Sequence, residues 1–186
     1  MYQAAVWLQR VKESYGARLN IRWYGFPLEQ VNNVQGPDWK LWEQPDDYKS
    51  RGLWALRAGK ATELQGAEAF QRFHLALLRA RHEDKRDIGD RAVLEEIAVD
   101  VGLDVERFRR DLADRGLLTK IAEEYTRGAE QHGVWGTPTL VFNGKGAAYL
   151  KMRPAAPPED SVRVFEELYD LISSRAYIIE VKRPRQ

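Results

Sequence analysis

At 186 residues, with 44% hydrophobic and 31% charged side chains, the chain fits one domain with an insertion and can bury a core. Twenty-nine basic residues against 28 acidic ones leave a net charge of +1, so no global field draws it to nucleic acid or a membrane surface. Cysteine is absent, which removes disulfides, thiolate metal sites and cysteine nucleophiles from these residues, and no apolar run approaches the roughly 18 residues of a membrane span.

Ala4, Trp7, Leu8, Val11 and Tyr15 recur at the spacing of an amphipathic helix, and Gly16 supplies its stop. Leu19 to Tyr24 (LNIRWY) alternates and is rich in β-formers, which predicts a strand closed by Pro27. Glu29 to Ser50 reads as a loop, punctuated by Asn-Asn, Gly-Pro and Pro-Asp-Asp, with Trp39 and Trp42 expected to pin it to the body. A long helical block follows. Phe70, Phe73, Leu77 and Leu78 form one stripe, and His74 lies within it. Asp90 is placed to cap a helix carrying Val93, Leu94, Ile97, Ala98 and Val101, which Gly102 ends. Asp104 caps another, with Val105, Phe108 and Leu112 inward and Gly116 after it. Leu117, Leu118, Ile121, Ala122 and Tyr125 carry a further helix down to His132-Gly133.

The stretch Gly133 to Gly144 (GVWGTPTLVFNG) then sets Thr137-Pro138 at the mouth of an apolar run, Thr139 to Phe142. Proline has no N–H for a ladder, so it belongs at the first position of a strand, and a fixed turn there can be cis. Asn143-Gly144 is a strong hairpin signal, with the second arm expected over Ala147 to Met152. Pro154, Pro157 and Pro158 make a stiff connector to a last amphipathic helix carrying Val162, Phe165, Leu168, Tyr169 and Ile172. Ala176 to Val181 (AYIIEV) reads as a terminal strand or docking arm. No internal repeat is visible.

The three histidines, His74, His82 and His132, never fall at a metal-ligand spacing, so no metal site is expected. His74 on its apolar stripe reads as a satisfied buried or boundary histidine, and His132 as a cation at a helix C-terminus. Arg79-Ala80-Arg81-His82 and Lys182-Arg183-Pro184-Arg185 read as solvated surface. Met1 to Ala5 lacks the basic and apolar regions of a secretory signal, and the expected compartment is the cytoplasm.

The order is helix, strand, several helices, strand, hairpin partner, helix. One more strand ahead of Met1 would make it a thioredoxin-type core with a helical domain inserted in its middle. On YQAAVWL (Tyr2 to Leu8), RWYGFPLEQVN (Arg22 to Asn32), FHLALLRARHEDKRDI (Phe73 to Ile88) and GVWGTPTLVF (Gly133 to Phe142), the chain resembles the DsbA family of thioredoxin-fold proteins. Within it, the resemblance is to the FrnE-like and 2-hydroxychromene-2-carboxylate-isomerase-like branches. It implies an α/β fold divided as 1–35 and 131–186 for the thioredoxin-like core and 36–130 for the mostly helical insertion.

The resemblance also implies a first core strand ending in Cys-x-x-Cys, or in a lone Ser in the glutathione-using branch, directly before residues like Tyr2 to Ala5. That strand and motif are missing from the given chain. The strand would lie between Leu19–Tyr24 and Thr139–Phe142, and unpaired buried backbone costs roughly 1–3 kcal/mol per group in a domain worth about 5–15 kcal/mol. Some ten or more preceding residues, another segment such as Ala176 to Val181, or a homodimer would each fill the gap. By the same resemblance Thr137 offers backbone hydrogen bonds to a bound cysteine-containing peptide or to glutathione, and Pro138 keeps other groups from crowding the sulfur. Trp135 and Gly136 share that loop, Trp135 shaping an apolar groove, although a packed rim aromatic is the plainer reading of that tryptophan. No catalytic residue is assigned. The expected function is that of a DsbA-like thiol–disulfide oxidoreductase family member, redox-inactive as given, with a glutathione-dependent isomerase or a non-catalytic peptide-binding module as the alternatives.

Overall fold

A computed structural model describes residues 1–182, so Arg183 and Arg185 of the basic tail lie outside the described residues. The chain falls into two compact units: one comprises Met1, Gln3–Arg22 and the chain from Gly136 on, the other Tyr2 and Trp23–Trp135.

The first unit packs two helices with a hairpin. Helix α1 (Tyr2–Tyr15) buries Ala4, Ala5, Trp7, Leu8 and Val11, the stripe its spacing predicts, and stops where Gly16 takes φ +57°. Strands β1 (Thr139–Phe142) and β2 (Gly146–Tyr149) pair antiparallel, with Thr139 opposite Tyr149 and Phe142 opposite Gly146. Three residues, Asn143 to Lys145, close the hairpin, and Gly144 supplies the positive φ of +68° that such a loop needs. The second arm therefore starts one residue before the expected Ala147 and ends at Tyr149 rather than Met152.

The last long helix, which spans Ser161–Ser174, brings Phe165 against Trp7, Tyr15 and Phe142 at ring separations of 6.1, 5.8 and 6.0 Å. Fully buried Trp7 donates its indole N–H to the Ser161 carbonyl at 3.0 Å, which ties α1 to the start of that helix. Gln3 and Arg10 bind the connector through Ala155 N–H (2.9 Å) and the Ala156 carbonyl (2.5 Å).

The second unit is helical. After a single turn, α2 (Leu28–Val31), come α3 (Leu53–Glu63), α4 (Ala67–His82), α5 (Arg91–Asp100), α6 (Val105–Ala113) and α7 (Gly116–Thr126), which continues as a π-helix over Arg127–Gln131. The helix over Ser161–Ser174 is accordingly α8. The long helical block that the sequence predicts before Asp90 consists of α3 and α4, separated at Gly66, where φ is +112°. Asp90 and Asp104 cap α5 and α6, each carboxylate accepting a backbone N–H at 2.9 Å from Ala92 and Arg107 respectively. Phe73 and Phe108, both fully buried, meet at 5.5 Å with their rings tilted by 49° in the core, with Leu94, Ile97 and Leu112 around them. A second cluster of Leu41, Leu53, Leu118 and Ile121 receives Trp39 and Trp42, so the loop before α3 is pinned as its tryptophans predict.

Two expected strands do not form. Leu19 to Tyr24 and Ala176 to Val181 have β-forming sequences but no regular structure, because among the described residues the sheet contains only β1 and β2. A strand exists only with a partner for its ladder, and neither segment has one. In the second segment Tyr177, Ile179 and Val181 stand exposed.

Candidate functional site

The loop before β1 is built from the end of the π-helix. Gly133 turns the chain with φ +60°, and Val134 N–H returns to the Gly128 carbonyl at 2.9 Å. Gly128 is closely packed: a Cβ there would sit 3.1 Å from the Phe26 ring, which would have to shift by a few tenths of an ångström. Phe26 in turn stacks on Tyr125 at 5.0 Å. Trp135 is the last residue of the helical unit and is 64% exposed.

The structure brings Gly136, Thr137 and Pro138 together at the mouth of β1. Gly136 is buried, and a Cβ added to it would meet the Tyr149 ring at 3.2 Å. Its carbonyl accepts the Thr139 hydroxyl at 2.7 Å, and the Pro138 carbonyl accepts Leu150 N–H at 3.0 Å. The Thr137–Pro138 peptide is cis, as is Arg153–Pro154. Between these anchored neighbours the Thr137 N–H and C=O have no hydrogen-bond partner among the described residues. Thr137 is half-buried, so this pair can be reached from solvent.

His74 is placed differently from its expectation. It packs between Trp23 and Phe70, at ring separations of 4.4 and 5.3 Å, but among the described residues its buried Nε2 has no hydrogen-bond partner, so it is not a satisfied histidine. Burial, reinforced by the Lys60 charge, pushes its pKa down to about 4. His132 is exposed just after the π-helix.

Sequence reasoning missed Lys60. It is 4% exposed and holds Glu63 at 2.6 Å and Glu124 at 2.5 Å, and the second oxygen of Glu124 accepts Gly25 N–H at 2.5 Å. Nothing local marks a pair separated by 64 residues; the hint was only a lysine among small residues in LWALRAGKATE. Among the described residues no group of three or more His, Asp or Glu side chains is placed to hold a metal, and no helix is long and apolar enough to cross a membrane.

Comparison with known proteins places this loop in context. The chain is 33% identical over 105 residues to the ClpXP adapter protein SpxH of Bacillus subtilis, a match covering 56% of this chain and 35% of that protein. It is 26% identical over 189 aligned positions to the uncharacterized protein Rv2286c of Mycobacterium tuberculosis, covering 99% of this chain and 76% of that one. The match to SpxH thus spans about a third of that relative's length. The family model of the DSBA-like thioredoxin domain matches residues 2–170, with the hairpin, the whole helical unit and α8 as far as Asp170 inside it. The chain belongs to the DSBA-like thioredoxin domain family.

Proposed function

We propose that these 186 residues form the substrate-recognition part of a DsbA-type thiol–disulfide exchange protein and exchange no disulfides themselves. One observation carries this reading: a family domain built for sulfur chemistry is matched over residues 2–170 by a sequence without a single cysteine. In thiol–disulfide exchange a thiolate attacks one sulfur of a disulfide, the new S–S bond forms as the old one breaks, and a second thiol resolves the mixed disulfide. Each step needs a sulfur that these residues do not supply. What they offer is the Thr137 main chain, whose donor and acceptor have no partner among the described residues and are held between two anchored carbonyls, suited to an extended cysteine-containing peptide. Within the family, RWYGFPLEQVN and FHLALLRARHEDKRDI resemble the FrnE-like and 2-hydroxychromene-2-carboxylate-isomerase-like branches, and the cysteine-free composition sits easily with a cytoplasmic location.

The test is insulin reduction by dithiothreitol with the purified chain added. The expected rate equals the uncatalysed one, and turnover above it would overturn the reading.

A second reading, a non-catalytic adapter, is favoured by the similarity to SpxH, which is named a ClpXP adapter. It predicts that the chain binds purified ClpXP, and an absence of binding rejects it.

A further inference from the structure

The Gly136 carbonyl and the Thr137 N–H are the two ends of one peptide group, and that group is trans. A planar trans peptide points its C=O and its N–H in opposite directions, so fixing one end aims the other. The Gly136 end is fixed from β1. The Thr139 hydroxyl donates to the Gly136 carbonyl at 2.7 Å, the commonest distance for an O–H donor. No other hydrogen bond reaches that carbonyl among the described residues.

The restraint matters because residue 136 is glycine. Gly136 is buried, and a Cβ there would meet the Tyr149 ring at 3.2 Å, so that ring would have to give by a few tenths of an ångström. Tyr149 is set opposite Thr139 by the hairpin register. Without a Cβ the backbone at 136 has the widest choice of dihedrals, and the peptide plane that follows it is free to turn. Downstream the chain is already held, since the Pro138 carbonyl accepts Leu150 N–H at 3.0 Å. The plane between residues 136 and 137 is therefore held by one side chain, Thr139. That side chain is branched at Cβ, which restricts χ1, and it stands half-buried at the first position of β1.

We propose that Thr139 is a positioning residue for ligand recognition: by holding the Gly136 carbonyl, its hydroxyl aims the Thr137 N–H at an acceptor on a bound extended peptide. It acts through the shared peptide plane and not by touching the peptide. The proposal rests on the recognition reading above and deepens it, since it names what sets the direction of the Thr137 donor. A donor aimed before the ligand arrives loses less entropy on binding than one that must be ordered.

The test is an amide-resolved NMR titration of the full chain with reduced acetyl-GVCVG-amide, run on wild type, Thr139→Val and Thr139→Ser. Valine keeps the branched shape and loses the hydroxyl, whereas serine keeps the hydroxyl. In wild type the Thr137 amide proton is expected to shift downfield and saturate, the mark of a gained hydrogen bond. Thr139→Val is expected to bind about five- to tenfold more weakly and to lose that shift, and Thr139→Ser to keep it and bind within about threefold of wild type. Equal binding by Thr139→Val overturns the proposal and leaves the recognition reading standing. So does a Thr137 shift that survives in Thr139→Val, or an equal weakening in both variants, which would mark a merely structural role. Should Thr139→Val disturb the hairpin itself, seen as altered amide signals at Leu140 and Ala148 in the free protein, Thr139→Ser decides. Retained binding with the downfield shift then supports the proposal, and a loss of more than about fivefold overturns it. Wild-type binding without change at Thr137, or no binding, defeats the recognition reading and the proposal together.

Discussion

The Lys60 ammonium and the Glu124 carboxylate meet at 2.5 Å in the helical unit, with the lysine 4% and the glutamate 18% exposed. The same carboxylate holds Gly25 N–H, so one ion pair joins α3, α7 and the chain leading into α2. Removing one partner of a buried pair strands the other, which costs about 3–5 kcal/mol. Lys60→Ala is expected to lose that much in denaturant unfolding, and Lys60→Met combined with Glu124→Gln, whose amide oxygen can still accept Gly25 N–H, to recover most of it. A loss below about 1 kcal/mol for Lys60→Ala would show the pair to be replaced by water.

His74 makes stability depend on pH. Its folded pKa, about 4, lies below the ordinary 6.5, so between those values the unfolded chain binds the extra proton. Stability attributable to this residue is full above pH 6.5 and falls as pH drops toward 4, by about 3 kcal/mol over the whole window. His74→Phe keeps a ring between Trp23 and Phe70 and is expected to flatten that part of the stability profile. Unchanged slopes in wild type and variant would contradict the assignment.

In the first unit the Trp7 hydrogen bond to Ser161 is separable from the burial of the ring. Trp7→Phe keeps most of the packing and loses the 3.0 Å bond, with an expected cost of about 1–2 kcal/mol. Trp7→Ala also opens a cavity and is expected to cost about 3–5 kcal/mol. Equal costs would mean that the indole N–H contributes everything and the ring nothing. Thermal unfolding of the two variants decides it.

Elements whose cause is local were legible in the sequence. Asp90 and Asp104 cap helices because a carboxylate answers backbone donors two or three residues on. Asn143-Gly144 turns because Gly144 tolerates a positive φ. Helix α3 was not separately legible: its buried side is Ala55, Ala58 and Ala61 with Arg57 and Lys60, which carries no period of large apolar residues. Leu19–Tyr24 and Ala176–Val181 were over-read for the opposite reason, since alternation supplies strand chemistry but not a strand partner. At the site, Thr137-Pro138 was visible as a motif. That the Thr137 main chain has no partner among the described residues was not visible, and in the helical unit the Lys60–Glu124 pair depends on a tertiary contact and was not either.

The most direct test of the recognition claim is amide hydrogen exchange at Thr137, with and without a reduced cysteine-containing peptide. The account predicts that the Thr137 amide, without an acceptor among the described residues, slows at least about tenfold when the peptide saturates, because it gains an acceptor. An exchange rate at Thr137 that does not change while the peptide is bound elsewhere would contradict it.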